Sequence, residues 1–409
     1  MAEITPEEIG ITDFAMREHR SLWYDAWRRF FSSNTARLGM FIVAVFVLST
    51  VYGHYFWAYE PKADLDYSLK LKPPNLAPTE EIDSVHLFGT DKLGRDIFRR
   101  VIHGGWNSLR VGFVAVGISL SIGGLLGLLA GFFESMSLSY REHIFLHGLI
   151  GAIFSLLSAW IADQYFQMIL FAGLGVVAAL FPGIQEGKFG RVLLFALAGA
   201  ALSAVPALFV SPYIAIACAI LGAIVGGILS LPLGGQFLST TIMRVMDIIL
   251  AFPGYLLAIA IVAFLGPGLE KGMIAIGAVG IPVYARLARS VVLSVMQKEY
   301  ILAAAAVGEG HGRILSRHVV PNILSPIIVQ TTMGLASAIL SAAALGFLGL
   351  GAIPPEPEWG AMLGDSYRFL TSGAWWAVVF PGVAIMLSVL GFNLLGDGLR
   401  DALDPKLRI

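Results

Sequence analysis

Long apolar runs separated by short polar segments dominate this chain. The first run, LGMFIVAVFVLSTVYGHYFW, begins at Leu38 and is long enough to cross the hydrocarbon core of a bilayer, which takes about 20 helical residues. Because a backbone in lipid must satisfy its own hydrogen bonds, each such run is predicted to be a helix. The sequence therefore predicts an all-α fold, a polytopic bundle of membrane helices.

About ten runs are predicted to span the membrane. They cover residues 38–58, 108–133, 144–162, 165–181, 192–210, 213–231, 242–265, 272–292, 323–348 and 376–395. Glycines at positions 123, 124, 127 and 131 include spacings of four, a pattern that lets membrane helices approach closely. The segments Pro253-Gly254, Gly266-Pro267-Gly268 and Pro381-Gly382 are interpreted as kinks or turns.

The low charge content supports a membrane location and excludes several other classes. Only 13% of the residues are charged, against about 25% in a soluble domain. The net charge of -1 argues against a nucleic-acid partner, which calls for a basic excess. Cys218 is the only cysteine, so an intrachain disulfide and a CxxC motif are excluded, and we interpret it as a small buried hydrophobe.

The N-terminal residues 1–37 are polar and do not resemble a cleaved signal. Aromatic residues alternate there with Arg20, Arg28 and Arg29. The aromatic positions are Trp23, Tyr24, Trp27, Phe30 and Phe31. This pattern predicts a helix lying in the cytoplasmic membrane interface, with a disordered tail as the alternative.

A basic connection sets the predicted orientation. The segment Gln297–Asn322 carries Lys298, Arg313 and Arg317, and such an excess marks a cytoplasmic connection. Counting spans in both directions from this segment places both termini in the cytoplasm of a cell-membrane protein.

The same connection carries a four-alanine stretch, Ala303 to Ala306, followed by Val307 and Gly308. Four alanines favour a helix with little side-chain bulk, and Gly308, Gly310 and Gly312 are predicted to end it. Together with Ile314 and Pro321-Asn322, the stretch resembles the cytoplasmic EAA loop of ABC importer permeases, which docks on the ATPase subunit. The resemblance assigns ATPase docking to Glu299, Ala303, Ala304, Gly308, Gly310 and Arg313.

The loop departs from the family pattern at two positions. Leu302 stands where the Glu that names the motif is expected, and Ala305 stands where an Arg is often found. Both changes weaken polar anchoring of the loop. The neighbouring Glu299 is the candidate for a substitute carboxylate.

Four more stretches resemble the C-type permease subunit of dipeptide and oligopeptide importers. They are HLFGTDKLGRDIFRRVIHGG (86–105), MRVMDIILAFPGYLLAIAIVAFLGPG (243–268), FLGLGAIPPEPEWGAML (347–363) and NLLGDGLRDALDPKL (393–407). The resemblance implies the transmembrane domain of a type-1 ABC importer with no cofactor. Peptides are the expected cargo, and metal chelates and glycosides, which relatives with this motif set also carry, stay open as alternatives. The resemblance also implies three kinds of partner: a second permease subunit, two ATP-binding subunits and an extracytoplasmic substrate-binding protein.

The resemblance divides the chain into segments. Residues 1–37 are the cytoplasmic or interfacial start, 38–58 the first transmembrane helix, and 59–107 an extracytoplasmic segment. Residues 108–133 and 234–409 form the importer core. Residues 134–233 are a block of four predicted spans inserted into that core, and the resemblance assigns no function to it.

The motif GTDKLGRD has two interpretations. Its candidate residues are Gly89, Thr90, Asp91, Gly94, Arg95 and Asp96. The glycines permit tight turns, and Thr90 or Asp91 is predicted to cap a helix. The functional interpretation is an outer platform that contacts the substrate-binding protein. The structural interpretation is a capped turn that holds the outer segment on the core.

Ionisable residues near the ends of spans favour structural roles. Arg244 and Asp247 are predicted to pair with each other or with Arg286 and Arg289; Asn393 and Asp397 are interpreted in the same way. His143 and His147 have the spacing of a metal clamp, but they are interpreted as interfacial histidines, and no metal site is predicted.

The chain carries no sequence signature of an enzyme. The phosphate-binding pattern GxxxxGK[ST] does not occur, so ATP hydrolysis is expected in partner subunits. Two other classes stay open at this point: an ion-coupled secondary transporter, and a membrane scaffold that transports nothing. The first would need ionisable residues near mid-span; the second would bind no ATPase.

Overall fold

A computed structural model of the protein describes residues 22–57, 59–60, 64–78, 84–135 and 234–403. These residues are mainly helical, and they include two isolated β-bridges, Asn75 with His86 and Thr90 with Asp96. The four predicted spans between 144 and 231 lie outside the described residues, as do Cys218, His143 and His147.

The described part of the chain forms twelve α-helices. They are α1 (Leu22–Ser32), α2 (Asn34–Phe56), α3 (Ile97–Ile118), α4 (Gly124–Ser135), α5 (Gly234–Ala251), α6 (Gly254–Leu265), α7 (Leu269–Met296), α8 (Glu299–Ala306), α9 (His311–Arg313), α10 (Val320–Phe347), α11 (Trp359–Ser366) and α12 (Trp376–Leu403). One π-helix, Ser119–Gly123, joins α3 to α4, and another, Ile314–Val319, joins α9 to α10. Short 3-10 turns lie at Tyr67–Leu69 and Tyr367–Phe369.

Five helical stretches in the described part of the chain are long and apolar enough to cross a membrane. They are Asn34–Phe56, Ile97–Ser135, Leu269–Met296, His311–Phe347 and Trp376–Leu403. Helices α5 and α6 add a sixth if they form one span, because they are separated only by a bend at Phe252 and Pro253. The all-α membrane fold is thereby confirmed, and the six predicted spans that fall within the described residues match these helices.

The three segments predicted to be kinks or turns do not all interrupt a helix in the structure. The kink at Pro253 is confirmed, since α6 begins directly after it. Gly266 and Gly268 have φ angles of 88° and 145°, which confirms a turn between α6 and α7. Pro381 lies inside α12, and the helix continues through it.

The described residues fall into two compact units. The first is built from the described parts of Met1–Ile118, Pro253–Gly280 and Leu324–Ile409, and the second from those of Ser119–Phe252 and Ile281–Ile323.

Small residues bring α2 against α12 in the first unit. A β-carbon on Gly39 would lie 2.6 Å from the backbone nitrogen of Leu395, and one on Gly391 would lie 2.8 Å from Ile42. Farther along, a β-carbon on Gly398 would overlap Ala36. The first and last described spans therefore touch backbone to backbone, as small residues allow.

Helix α1 packs on this helix pair. Phe30 is buried with Ala36 and Ala402, whereas Trp27 and Tyr24 are exposed. The Ser33 side chain accepts a hydrogen bond from the Ala36 amide and caps α2. The predicted helix is confirmed from Leu22 onward, and its position in the membrane interface stays a prediction.

A row of glycines on one face brings α4 against α7 in the second unit. β-carbons on Gly123 and Gly127 would overlap the carbonyl oxygens of Ile281 and Ala285, and one on Gly131 would lie 2.8 Å from Val292. Their spacing of four is the one that the sequence predicted to be a helix contact. Gly124 lies off this face, since a β-carbon there would meet only Leu120 of its own helix turn.

Candidate functional site

Helix α8 forms the centre of the basic connection between α7 and α10. It begins after Lys298, which has extended backbone angles, and runs for eight residues to Ala306. Gly308 follows with a φ of 84°. The Gly308 amide donates to the Ala305 carbonyl and the Glu309 amide to the Ala304 carbonyl, both at 3.0 Å. This is a Schellman motif, so the prediction that Gly308 ends the helix is confirmed.

Most of the surface of α8 is open. Ile301 is buried, whereas Tyr300, Leu302 and Val307 are 45%, 61% and 86% exposed. Ala303 and Glu299 are also exposed, and Ala304 is half-buried. A slim helix anchored by one buried isoleucine thus presents apolar side chains outward, a feature typical of a protein interface.

The segment that follows α8 contacts the helix near both of its ends. The Glu309 carboxylate lies 3.0 Å from Nε2 of His318, which belongs to the second π-helix. The His318 ring also lies beside the Tyr300 ring, at 6.2 Å between centroids. These contacts join both ends of α8 to the start of the next span. Arg313, assigned to docking from the sequence, is exposed on α9.

The GTDKLGRD motif forms a compact turn in the first unit. Gly89 and Gly94 have φ angles of 72° and 79°, which confirms the predicted tight turns. Asp91 organises the turn, since its Oδ1 accepts from the amides of Leu93 and Arg95 at 2.8 and 3.0 Å. Its Oδ2 accepts from Nε of Arg95 at 2.7 Å.

The helix cap in this motif is Asp96, and the prediction of Thr90 or Asp91 is wrong. Oδ1 of Asp96 accepts from the Arg99 amide at 2.9 Å at the start of α3, while Oδ2 lies 2.6 Å from Nδ1 of His86. Asp91 is already occupied by Arg95. The Thr90 hydroxyl instead bonds to the segment before the motif, accepting from the Lys72 amide at 2.8 Å and donating to the Leu69 carbonyl.

Long-range contacts tie the motif to α11 and α12. Lys92 pairs with Asp365 at 2.6 Å, and Nε1 of Trp376 donates to the Thr90 carbonyl at 3.1 Å. The six motif residues are therefore largely engaged within the chain. This geometry favours the structural interpretation of the motif, in which it holds the outer segment on the core.

A buried carboxyl group that the sequence did not single out lies at the start of α11. Glu358 is 1% exposed, and its two oxygens accept from the Gly360 and Ala361 amides, both at 2.8 Å. Burial raises the pKa of this carboxyl from 4.5 to about 7, despite the two amides, which lower it. The sequence signal was the Glu-Trp-Gly order, in which an acceptor precedes a helix start.

Ion pairs join the helices of the second unit. Arg289 makes two hydrogen bonds to Glu134, from Nε at 2.9 Å and from Nη2 at 3.0 Å, and the Ser239 hydroxyl donates to the same carboxylate at 2.8 Å. Asp247 lies 3.0 Å from Arg286. The sequence left Arg244, Arg286 and Arg289 open as partners for Asp247, and the structure selects Arg286.

The described residues contain no group of three or more His, Cys, Asp or Glu side chains arranged to hold a metal ion. Taken together, the membrane-crossing helices, the exposed helix α8 and the folded GTDKLGRD turn define a polytopic helical membrane protein with structured connections.

Comparison with known proteins identifies the family. Residues 219–409 match the model of the binding-protein-dependent transport system inner membrane component, and residues 21–78 match the N-terminal transmembrane domain of oligopeptide transport permease C. The chain is 36% identical over 388 residues to the dipeptide transport system permease protein DppC of Alkalihalophilus pseudofirmus, covering 95% of this chain and 91% of that protein.

Two further relatives agree. The di/tripeptide transport system permease protein DppC of Pseudomonas aeruginosa is 35% identical over 382 residues, which cover 93% of this chain and 91% of the relative. The dipeptide transport system permease protein DppC of Escherichia coli is 53% identical over 167 residues, or 41% of this chain and 55% of the relative.

The chain belongs to the dipeptide and oligopeptide permease family of ABC importers. It is a multi-pass inner-membrane permease subunit and not itself an enzyme, since ATP hydrolysis lies with partner subunits. Permeases of this type work with a second permease, ATPases and a substrate-binding protein. The resemblance stated from the sequence is confirmed.

Proposed function

We propose that this chain forms part of the membrane path for small peptides and is driven by an ATPase docked on α8. Peptide cargo is supported by the relatives, which are named for transport of dipeptides, di/tripeptides and glutathione. In this proposal the chain pairs with a homologous second permease, with two ATP-binding subunits on one side and a substrate-binding protein on the other.

The exposed apolar surface of α8 carries the docking proposal. Leu302 and Val307 are among the most exposed large apolar residues of the connection. Exposure of apolar side chains to water is unfavourable, so an exposed pair of this kind indicates a contact with a partner. The alanines between them leave room for a partner to approach the helix backbone. Since Leu302 replaces the usual acidic residue, the contact here is apolar, with Glu299 and Arg313 as polar contacts at the edge.

The base of α8 suits transmission of movement. Ile301 is buried, and the Glu309–His318 pair joins the end of the helix to the π-helix that leads into α10. A displacement of α8 by the ATPase would therefore be passed to a membrane-crossing helix. Many transporters alternate access to their substrate by rocking one group of helices against another, and such a displacement would drive this motion.

The proposed orientation places α8, both termini and the basic residues around it in the cytoplasm. Lys298, Arg313 and Arg317 lie within the connection, in keeping with the positive-inside rule. The GTDKLGRD turn then lies on the outer side. There we propose that it holds a rigid platform under the substrate-binding protein, with Gly89, Thr90, Asp91, Gly94, Arg95 and Asp96 setting its shape.

Co-purification of the ATPase subunits tests the docking proposal. We expect Val307→Asp to release the ATPases, because a charge would enter an apolar contact, while the permease stays in the membrane at normal yield. Gly308→Arg should also release the ATPases. The matched control is Thr371→Asp, an exposed residue in the connection between α11 and α12, which should retain the ATPases.

Peptide uptake by cells gives the second measurement. Val307→Asp should abolish uptake of a labelled dipeptide, whereas Thr371→Asp should leave coupling to the ATPases intact. Full ATPase retention and full uptake in the Val307→Asp variant would refute docking through α8. If the unmodified complex transported none of the small peptides tested, the cargo assignment alone would be refuted.

A further inference from the structure

A small cleft in the first unit has an excess of positive charge. It lies between the GTDKLGRD turn, the first turn of α3 and the end of α11, and its charged lining residues are Asp91, Lys92, Arg95, Arg100 and Asp365. The cleft has room for about one water molecule or an ion of similar size. Three cationic side chains face two carboxylates, so the net formal charge is +1 when all five are ionised.

The other four charged side chains pair with one another, which leaves Arg100 without a hydrogen-bonded carboxylate. Lys92 pairs with Asp365 at 2.6 Å, and Arg95 bonds to Asp91 at 2.7 Å. The other oxygen of Asp91 is used by two backbone amides. Nε of Arg100 lies 3.7 Å from Asp91, which is within ion-pair range but beyond a hydrogen bond.

Arg100 is both buried and short of acceptors. The residue is 3% exposed, and its Nε and Nη1 atoms are buried without a hydrogen-bond partner. A guanidinium stays charged at all physiological pH values and can only donate. Leaving buried donors of a charged group unsatisfied is costly, so the arrangement calls for an acceptor that carries negative charge.

We infer that this cleft binds one small monovalent anion, such as chloride, against Arg100. A single negative charge would neutralise the cleft and accept from the unsatisfied N–H groups. A water molecule could accept a hydrogen bond there, but it would leave the excess charge in place. The cleft holds about one water-sized group, which suits a small anion. The helical stretch from Ile97 to Ser135 has 39 residues, and roughly 20 are enough to cross the hydrocarbon core. Arg100 lies near the start of this stretch, so the cleft need not lie within the hydrocarbon core.

Chloride binding to the full chain in lipid nanodiscs tests the inference. Radioactive chloride would be titrated at constant ionic strength, with gluconate as the replacing anion. We expect saturable binding of one chloride for each chain. The thermal unfolding midpoint should rise along the same titration. Gluconate at equal ionic strength should give no such rise.

Matched variants locate the site. Arg100→Met should abolish saturable chloride binding, whereas Arg110→Met, which removes the exposed partner of Glu270, should leave it unchanged. If Arg100→Met fails to fold, Lys92→Gln provides the second variant, because Lys92 is partly exposed. It lowers the formal charge of the cleft from +1 to 0, and we expect chloride affinity to fall about tenfold.

Two results would overturn the inference. One is equal unfolding midpoints in chloride and gluconate with no saturable chloride binding, which would assign the cleft to water. The other is unchanged chloride affinity in a folded Arg100→Met or Lys92→Gln variant, which would place any bound chloride elsewhere. Neither result depends on ATPase docking or on the identity of the cargo.

Discussion

The carboxyl group of Glu358 lies directly against the backbone of Gly346. A β-carbon on Gly346 would overlap Oε2 of Glu358 and would lie 3.0 Å from the Ala361 nitrogen. The glycine on α10 therefore makes the space in which Glu358 caps α11. The close packing at Gly346 is part of the burial that raises the pKa of the Glu358 carboxyl.

The raised pKa of Glu358 makes stability depend on pH. Because the pKa rises from 4.5 in the unfolded chain to about 7 in the folded protein, the folded state holds a proton that the unfolded state releases. The contribution is fully present below pH 4.5 and is lost as the pH rises through about 7. Its size is on the order of 3 kcal/mol.

We therefore expect the unfolding midpoint in nanodiscs to fall as the pH rises from about 5 to about 8. The variant Glu358→Gln should show a flatter profile over this range. The control is Glu356→Gln, which changes an exposed neighbour and should keep the profile of the unmodified chain. Parallel profiles for the unmodified chain and Glu358→Gln would contradict the assignment.

Two glycines with similar backbone angles should respond differently to alanine. Gly94 and Gly308 have φ angles of 79° and 84°, so each substitution carries a conformational cost of about 1 kcal/mol. A β-carbon on Gly94 would also overlap the Asp66 carbonyl oxygen, whereas nothing lies within 4 Å of one on Gly308.

We expect Gly94→Ala to lower the yield of folded protein and to reduce stability by about 3 kcal/mol or more, since clash adds to strain. Gly308→Ala should cost only the strain. Thermal unfolding and membrane yield of the two variants provide the measurement. Similar losses in both would show that the contact with Asp66 is unimportant.

The two Arg–carboxylate pairs of the second unit offer another matched comparison. The side chains of Arg289 and Glu134 are 30% and 28% exposed, and those of Arg286 and Asp247 are 58% and 47% exposed. Glu134→Gln leaves a partly buried guanidinium without its bidentate partner, and we expect a loss of about 1–3 kcal/mol. Asp247→Asn should cost less than about 1 kcal/mol.

Unfolding midpoints of the two single variants and of Glu134→Gln/Arg289→Gln check this expectation. The double variant should lose less than the sum of its single changes, because the two residues interact. Strict additivity would mean that the ion pair contributes nothing of its own.

Cysteine labelling tests the proposed orientation. Cys218, the only native cysteine, would first be replaced by serine, and then Gly308→Cys or Thr371→Cys would be introduced. In intact cells a reagent that does not cross membranes should label position 371 and leave position 308 unlabelled. Permeabilised cells should show labelling at both positions. The reverse pattern in intact cells would invert the proposed topology.

Much of this architecture could be predicted from local sequence, because each apolar run must become a helix in lipid. The Schellman end of α8 is also a local event, set by four alanines and a glycine. The cap of α3 was not predictable in this way, since Thr90, Asp91 and Asp96 are all capable of capping. Only the engagement of Asp91 by Arg95 in the folded turn leaves that role to Asp96.

Burial of isolated charges was likewise beyond the sequence. Glu358 lies in a polar connection that gives no sign of burial until Gly346 is placed beside it. Arg100 is one of several arginines after the GTDKLGRD turn, and its shortage of acceptors follows from the pairing of Lys92 with Asp365, a residue far along the chain. Such features depend on long-range packing.

The glycine contact between α2 and α12 has a consequence for biogenesis. Among the described helices, α12 is the last to leave the ribosome, so α2 must wait in the bilayer without its packing partner. Until then Gly39 lacks the Leu394 and Leu395 backbone against which it packs. The hydrogen bond from Trp376 to the Thr90 carbonyl likewise forms only after the C-terminal span has been made, so the GTDKLGRD turn is completed late in synthesis.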